Sequence, residues 1–384
     1  MNTSNDTTPK PGQKVAHYHI IRKIGQGGMS IVYEGLDEKL KRPVAIKILH
    51  PFLASNEEYR SRFLREAETV ARLSHPNIVQ IFDVATAFDE QLYIVTELLD
   101  GETLAEFSKV VHFSQFPELS AMVIFHVAEA LMHAHQKGII HRDIKPENIM
   151  VLKNGQIKLM DFGIASLGSE DSITQSGTLM GSLAHLAPEV IKGQKALIQS
   201  DIFSLSTVFF WMLTDELPFK GSSPHALLKA IVDTNPKKVQ SLSPYITDDI
   251  ALVVERGMKK DPDARFKNFD EFCDAIEKAL SKMGLSIDKN LQAVLKNPSE
   301  LPAFQKRLLE KVERQIEIYQ KQNDQAGVLA LECRIKASPI PKKTHKRKIL
   351  LAFKSSTEIY FRYFIDFLFN STVAFLYFLL YHRK

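Results

Sequence analysis

One stretch of the sequence holds residue types that suit the transfer of a phosphoryl group. Residues 141–148 read HRDIKPEN, and residues 161–163 read DFG. In this pattern Asp143 is expected to accept the proton of an attacking hydroxyl group, while Asn148 and Asp161 hold the metal ions that bridge nucleotide phosphates. Their amide and carboxylate oxygens suit Mg²⁺ or Mn²⁺ better than Zn²⁺. This chemistry needs no covalent enzyme intermediate.

A glycine-rich segment lies near the start of the chain. Its members are Ile24, Gly25, Gln26, Gly27, Gly28, Met29, Ser30, Ile31 and Val32. Glycines allow a backbone to come close enough to phosphate oxygens to donate hydrogen bonds to them. Taken alone the segment is weak evidence, because glycine pairs also make ordinary hairpin turns.

Lys47 stands in an apolar strand pattern, between Ile46 and Ile48. The simplest interpretation of Lys47 is an ordinary solvated lysine on the strand, but an unpaired ammonium would be costly there. In the helical pattern that follows, Glu66 lies beside the apolar face, whereas Glu68 points to a different face.

The elements that would position these residues change in character along the chain. Strand-like runs occupy residues 20–24, 30–33, 44–48, 78–84 and 92–95, and a helical pattern over residues 57–73 interrupts them. Beyond Leu104 the pattern becomes helical, with a helix predicted over residues 121–136 that ends at Gly138. A small sheet with one inserted helix, followed by a mainly helical unit, is therefore predicted.

In this combination and order, the motifs between Gly25 and Arg265 resemble eukaryotic-type protein kinases, most closely the bacterial Ser/Thr kinases. The resemblance spans residues 18–281. It implies an α+β, two-lobed protein kinase fold with a small antiparallel β lobe carrying one helix (residues 18–98) and a larger, mainly helical lobe (residues 101–281), plus C-terminal helices. It also implies ATP as phosphoryl donor and Ser or Thr hydroxyl groups of proteins as acceptors.

The same resemblance implies roles for further residues. Lys47 is expected to contact nucleotide phosphates while Glu66 holds it, and Lys145 to neutralise charge on the transferring phosphoryl group. Backbone groups of Glu97 and Leu99 are expected to face adenine.

Residues 167–183 are rich in Ser, Thr and Gly and predict a loop that phosphorylation orders. By resemblance Thr174 and Ser176 occupy the positions of the phosphorylation sites, and Thr178 is a near alternative. Arg142, next to the proposed base, is the expected receptor for the phosphate. Autophosphorylation of this loop is therefore predicted.

The segment after this loop is expected to support the larger lobe. Glu189 is expected to form an ion pair with Arg265, and Asp201 to brace the catalytic loop. His185 stands where many relatives have tyrosine, which leaves substrate preference open.

Two alternative functions are weighed against a protein kinase. A scaffold could keep the fold without turnover, although Lys47, Glu66, Asp143, Asn148 and Asp161 are all present. A small-molecule kinase of the same fold usually lacks the APE segment, which residues 187–189 supply here. A metal site at His126, His133 and His135 is rejected, because the last two face different ways on a helix.

Composition narrows the environment and the partners. The chain has 384 residues, is 45% hydrophobic and contains only two cysteines, which fits a reducing compartment such as the cytoplasm. Residues 1–17 are expected to be a flexible leader, since the first fourteen are polar and lack an apolar stretch for secretion. Nine Lys or Arg residues follow Pro341, against Glu358 and Asp366, so the body of the chain is slightly acidic and no nucleic-acid partner is expected.

The C-terminal part is predicted to contain a helical extension (residues 282–340), a basic linker (341–358) and a candidate membrane helix (359–381). Within the extension, residues 301–335 predict a helical hairpin that packs on the kinase domain or on a partner. Residues 359–381 are expected to cross the membrane or lie in its interface, anchoring the kinase to the inner membrane. The alternative is an aromatic-rich helix that packs on protein.

Overall fold

The structure is a computed structural model that describes residues 9–27, 30–86, 89, 91–162, 183–243, 246–287 and 291–336. Of residues 52, 58, 59, 62, 66 and 336 only the backbone is described. The chain divides into Met1–Ser338 and Pro339–Lys384, and every described residue belongs to the first of these units.

The N-terminal lobe is built on an antiparallel sheet. Its strands are β1 (Lys14–Val15), β2 (Tyr18–Gln26), β3 (Ser30–Asp37), β4 (Arg42–Leu49), β5 (Ile81–Val84) and β6 (Tyr93–Glu97), in the order β1-β2-β3-β4-β6-β5. Val44, Ile46 and Ile48 of β4 are buried in the core. Because side chains alternate along a strand, Lys47 points to the opposite face.

Strand β1 is a difference from the sequence prediction, which assigned residues 1–17 to a flexible leader. Lys14 and Val15 pair with His19 and Tyr18 of β2. The backbone N–H of Gly12 also donates to the carbonyl of Ile20, at 2.9 Å. A two-residue strand is too short to show a hydrophobic period, so pattern reasoning placed this boundary too late.

Two helices follow β4: α1 (Pro51–Ala54) and α2 (Glu57–Ala71). The observed α2 confirms the predicted helix and ends two residues earlier than expected. Its residues Phe63, Ala67 and Val70 are buried in the core of this lobe, as their helical spacing predicted.

The C-terminal lobe is mainly helical. Its helices are α3 (Leu104–Phe107), α4 (Pro117–Gln136), α5 (Pro188–Ile191), α6 (Ile198–Thr214), α7 (Pro224–Asp233), α8 (Val239–Leu242), α9 (Asp248–Gly257) and α10 (Phe269–Lys282). Helix α4 begins at Pro117, four residues before the predicted start, because proline suits the first turn of a helix. It ends as predicted at Gly138, which has a φ of +74° and donates to the carbonyl of His135 at 2.8 Å.

A second small sheet lies in the C-terminal lobe. Its strands are β7 (Gly101–Thr103), β8 (Ile149–Leu152) and β9 (Ile157–Leu159), in sequence order and antiparallel. Strands β8 and β9 form a short hairpin whose tight turn contains Gly155. Asn148 immediately precedes β8, and Asp161 follows β9 by two residues, so this hairpin positions both predicted metal-binding residues.

The helical extension packs on the C-terminal lobe. It comprises α11 (Leu291–Lys296), α12 (Leu301–Lys321) and α13 (Gln325–Lys336), and the last two form the predicted helical hairpin. Leu291, Phe304 and Leu331 are buried in the same core as the lobe. Packing on the kinase domain, one of the two predicted arrangements, is therefore the one observed.

Within the described residues, no helix is both long and apolar enough to cross a membrane. The basic linker 341–358 and the candidate membrane helix 359–381 lie outside the described residues.

Candidate active site

The glycine-rich segment connects β2 and β3. Ile24, Gly25 and Gln26 end β2, while Ser30, Ile31 and Val32 begin β3. The N–H of Gly27 donates to the carbonyl of Ser30 at 2.8 Å, and this hydrogen bond connects the end of β2 to the start of β3 across the turn. Gly28 and Met29 lie outside the described residues. The turn sits one strand away from Lys47, because Val32 pairs directly with Lys47 across β3 and β4.

Lys47 and Asp161 bring the two lobes together. The ammonium of Lys47 donates to Oδ1 of Asp161 at 2.7 Å, although the residues are 114 positions apart. Burial would raise the pKa of Asp161, but the charge and hydrogen bond of Lys47 outweigh it, so the pKa of this carboxyl group lies below its ordinary value. Asp161 therefore stays ionised at neutral pH, as a metal-binding carboxylate must.

The side chain of Glu66, the predicted partner of Lys47, lies outside the described residues. Its backbone belongs to α2, as the sequence predicted. The Lys47–Glu66 pair remains a prediction.

Asp143, Lys145 and Asn148 form a compact hydrogen-bonded group. The ammonium of Lys145 donates to Oδ2 of Asp143 at 2.7 Å. The amide of Asn148 donates to the same oxygen at 2.9 Å and to the backbone carbonyl of Asp143 at 2.7 Å. Because both bonds use the Asn148 amide nitrogen, its Oδ1 stays available as an acceptor. The side chain of Asn148, a predicted metal ligand, thus lies beside the proposed base.

Asp201 braces the catalytic loop from α6, as predicted. Its carboxylate accepts the backbone N–H groups of His141 at 2.8 Å and Arg142 at 2.9 Å. It also bonds Nε2 of His135 at 2.8 Å. One buried carboxylate, 1% exposed, therefore holds the loop in place, and His135 has a structural partner here.

His141 connects the loop to the strand that carries Asp161. Its Nε2 lies 2.8 Å from the carbonyl of Met160, and its Nδ1 accepts from the N–H of Asp143 at 3.3 Å. A carbonyl can only accept, so the proton is on Nε2 and the ring is neutral. Burial lowers the pKa of His141, which agrees with this assignment. The sequence prediction gave this histidine no role.

Two residues of the site have unusual backbone conformations. Arg142 has a φ of +68° and Asp161 a φ of +52°, in the left-handed region that side chains other than glycine rarely adopt. Such strain persists only where surrounding contacts enforce it, and it concentrates at functional sites. For Arg142 the Asp201 bond supplies such a contact.

The predicted hinge residues lie at the end of β6, the strand next to the edge of the sheet, and Glu97 is its last residue. The side chain of Glu97 accepts from the ammonium of Lys158 at 2.7 Å and from the N–H of Gln80 at 2.8 Å. Lys158 is buried in β9 and also donates to the carbonyl of Ile78, at 3.2 Å. The hinge is therefore tied to the β8–β9 hairpin, a contact that pattern reasoning missed. Leu99 follows β6 and is half-buried.

The segment after the predicted phosphorylation loop is anchored as expected. Arg265 donates to both carboxylate oxygens of Glu189 at 2.8 Å, and the two side chains are 0% and 3% exposed. His185 is buried, and its Nδ1 lies 2.7 Å from the hydroxyl of Thr207. Thr174, Ser176 and Thr178 lie outside the described residues.

These elements form a two-lobed protein kinase fold, and the candidate site lies where Lys47 and Asp161 join the two lobes. Residues 18–280 match the protein kinase domain family, and the chain belongs to that family.

Individual relatives are similar over the same region. The chain is 40% identical over 256 residues to the probable serine/threonine-protein kinase PknB of Lactococcus lactis, covering 66% of this chain and 40% of that protein. It is 36% identical over 261 residues to the serine/threonine-protein kinase PrkC of Bacillus subtilis, covering 68% and 40%. The chain thus spans about two fifths of the length of these curated relatives.

A solved structure supports the same fold. The crystal structure of the Mycobacterium tuberculosis PknI kinase domain superposes with a TM-score of 0.56 at 28% identity. The match covers 71% of this chain and 100% of that structure. The helical extension follows the last residue of the family match.

Proposed function

We propose that this protein is a signalling kinase that transfers the γ-phosphoryl group of ATP to Ser and Thr hydroxyl groups of proteins. The observation that carries the proposal is the formation of two hydrogen-bonded groups, Lys47 with Asp161 and Asp143 with Lys145 and Asn148, at distances of 2.7–2.9 Å. Family membership and the printed names of the relatives support the same activity.

Each of these side chains has a distinct task in the proposed reaction. Asp143 accepts the proton of the attacking hydroxyl group. The amide of Asn148 donates to the backbone carbonyl and to the carboxylate of Asp143, and these two hydrogen bonds orient the Asp143 side chain. Lys145, already beside this carboxylate, neutralises charge on the transferring group. Lys47, which Glu66 is expected to hold, contacts the nucleotide phosphates. The glycine-rich segment covers these phosphates, and backbone groups of Glu97 and Leu99 face adenine.

Protein kinases use ATP together with a divalent metal ion. The donor set fits such an ion, because Asp161 is ionised and Asn148 keeps its Oδ1 available. We propose Mg²⁺ as the resident ion, with Mn²⁺ as a substitute, held by Asn148 and Asp161. When bound, the ion neutralises phosphate charge and orients the transferred group.

The loop before His185 is proposed to control activity. Thr174, Ser176 and Thr178 are the proposed autophosphorylation sites, and Arg142 the proposed receptor for the phosphate. The backbone of Arg142 is held by Asp201 in a left-handed conformation. A chain with all three sites changed to alanine is expected to lose most of its activity, and full activity would exclude this control.

The proposed organisation places a catalytic domain (residues 18–281) in the cytoplasm, followed by the helical extension, the basic linker 341–358 and a membrane-associated segment, residues 359–381. Flotation of the full chain with vesicles containing anionic lipids tests the last point. We expect co-flotation of the wild type, and recovery with the lipid-free fraction would contradict membrane association.

Phosphosite mass spectrometry of the full chain with ATP and Mg²⁺, beside an Asp143→Asn variant, tests the activity. We expect phosphate on residues of the 167–183 loop and on a generic protein substrate for the wild type alone. Absence from both, with ATP binding retained, would favour a scaffold instead.

A further inference from the structure

The β8–β9 hairpin has a contact outside the part of the chain that matches the kinase family. Its turn residue Gly155 has a φ of +83°, and a Cβ at this position would overlap the backbone of Gln292 in α11. The N–H of Gly155 donates to the carbonyl of Leu152 at 2.7 Å, which keeps the turn tight. Glycine is thus required twice here, for the conformation and for the close approach of the extension.

The hairpin connects this contact to the metal-binding residues. Ile149 pairs with Leu159 at its open end, and the N–H of Met160 donates to the carbonyl of Asn148 at 2.8 Å. This pairing therefore connects the turn to the residues beside Asn148 and Asp161. A shift of the turn is expected to reach both proposed metal ligands.

The extension has its own anchorage on the lobe. In α11, Leu291, Val294 and Leu295 are buried, whereas Gln292 and Ala293 are exposed.

Further along the extension, Arg334 of α13 donates to both carboxylate oxygens of Glu118, at 2.5 and 2.8 Å. Both side chains are almost fully buried, at 1% and 3% exposed. Because Glu118 lies in the first turn of α4, its charge is also favoured by the helix dipole. The extension is therefore also anchored to the start of α4.

We propose that the extension, residues 291–336, is a brace that positions the β8–β9 hairpin and thereby tunes metal and nucleotide binding. This inference rests on the proposed function, because it assigns Asn148 and Asp161 to the metal. Docking of the extension favours the hairpin position that binds metal, and release of the extension lowers metal affinity. In this arrangement Gly155 and the buried residues of α11 (Leu291, Val294 and Leu295) act as positioning residues.

The test perturbs the contact from the side of the extension in the full chain. Val294→Asp places a charge in the buried face of α11, and Ala293→Asp places the same charge on its exposed face. The readout is the Mg²⁺ concentration that half-saturates binding of adenylyl-imidodiphosphate, a non-hydrolysable ATP analogue. We expect Val294→Asp to raise this Mg²⁺ concentration about five-fold or more, which is a common size for coupling between sites. Ala293→Asp is expected to keep the wild-type value.

A second variant perturbs the contact from the side of the hairpin. Gly155→Ala is compared with Gly12→Ala, which has a φ of +89° but open space around its Cβ. The two share the conformational strain and differ in the clash with α11. We expect only Gly155→Ala to raise the Mg²⁺ concentration needed for half-saturation. The Gly155→Ala, Val294→Asp double variant is expected to raise it little further, because both changes disrupt the same contact between the hairpin and α11.

Hydrogen exchange without metal or nucleotide provides a readout that is independent of binding. Val294→Asp, which leaves the hairpin sequence intact, is expected to speed exchange at residues 149–159, and Ala293→Asp is not. If Val294→Asp fails to fold, Val294→Ala serves the same comparison with a smaller shift. An unchanged Mg²⁺ requirement and unchanged exchange in folded variants would overturn the brace. None of these measurements needs phosphoryl transfer, so a wild type that binds but does not phosphorylate would refute only the proposed function.

Discussion

Removing the guanidinium of Arg334 is expected to be among the most damaging single changes outside the active site. Arg334→Met leaves the carboxylate of Glu118 buried, 3% exposed, without its bidentate partner. Breaking a buried ion pair from one side costs about 3–5 kcal/mol. With a urea slope of about 3 kcal/mol/M, this corresponds to a fall of about 1–1.7 M in the unfolding midpoint.

The measurement is urea unfolding of the full chain, followed by fluorescence. The sequence contains one tryptophan, Trp211, which lies in α6 of the C-terminal lobe and reports on that lobe. Arg314→Met is the matched control, because Arg314 is an exposed arginine in α12 of the same extension. Its expected change is within about 0.5 kcal/mol.

A double variant separates the charge from the packing. Glu118→Leu with Arg334→Met removes both charges, and replacing a buried pair by apolar residues is often neutral or stabilising. We expect the double variant to recover most of the stability lost in Arg334→Met. A loss below about 1 kcal/mol in Arg334→Met, or a double variant as unstable as the single one, would refute the reasoning.

Further expectations concern the site and its supports. Lys47→Met is expected to lower kcat/KM by at least about 100-fold in a peptide phosphorylation assay, because the proposed phosphate site loses a cation. Near-normal activity would contradict this role. Lys158→Met is expected to cost about 2 kcal/mol in urea unfolding, since it removes a charged hydrogen bond to Glu97, and an unchanged midpoint would show that bond to be dispensable. Burial lowers the pKa of His185 to about 4, so the unfolded chain binds a proton that the folded chain does not between about pH 6.5 and pH 4. As the pH falls through this window, the protein therefore loses about 3 kcal/mol of stability from this residue. His185→Leu is expected to show a shallower loss of stability with falling pH, whereas equal slopes would exclude His185 as a source.

Local patterns gave a reliable account of the elements and of the catalytic loop. The helix over Phe63, Ala67 and Val70 and the helical hairpin of the extension both follow from one-sided hydrophobic spacing, which depends only on neighbours along the chain. The end of the leader was misplaced at β1, because a strand of two residues leaves no period to detect.

The residues of the HRDIKPEN segment could be assigned by sequence because five positions separate Asp143 from Asn148, so a short loop brings them together. Contacts between distant segments had no such signal. The Lys158–Glu97 bond and the Arg334–Glu118 pair join residues 61 and 216 positions apart. Each depends on how whole elements pack.

The sequence by itself determined which segments are helices or strands and that the extension has an apolar face to bury, and it supplied the residues proposed to carry chemistry. Only the tertiary structure decided that this face packs on the catalytic lobe and that α11 meets the hairpin at Gly155. Hydrophobic periodicity specifies that a surface will leave water, but the burial of apolar area is non-directional. The partner of that surface is fixed by shape and by charges such as Glu118 and Arg334, which meet only after folding.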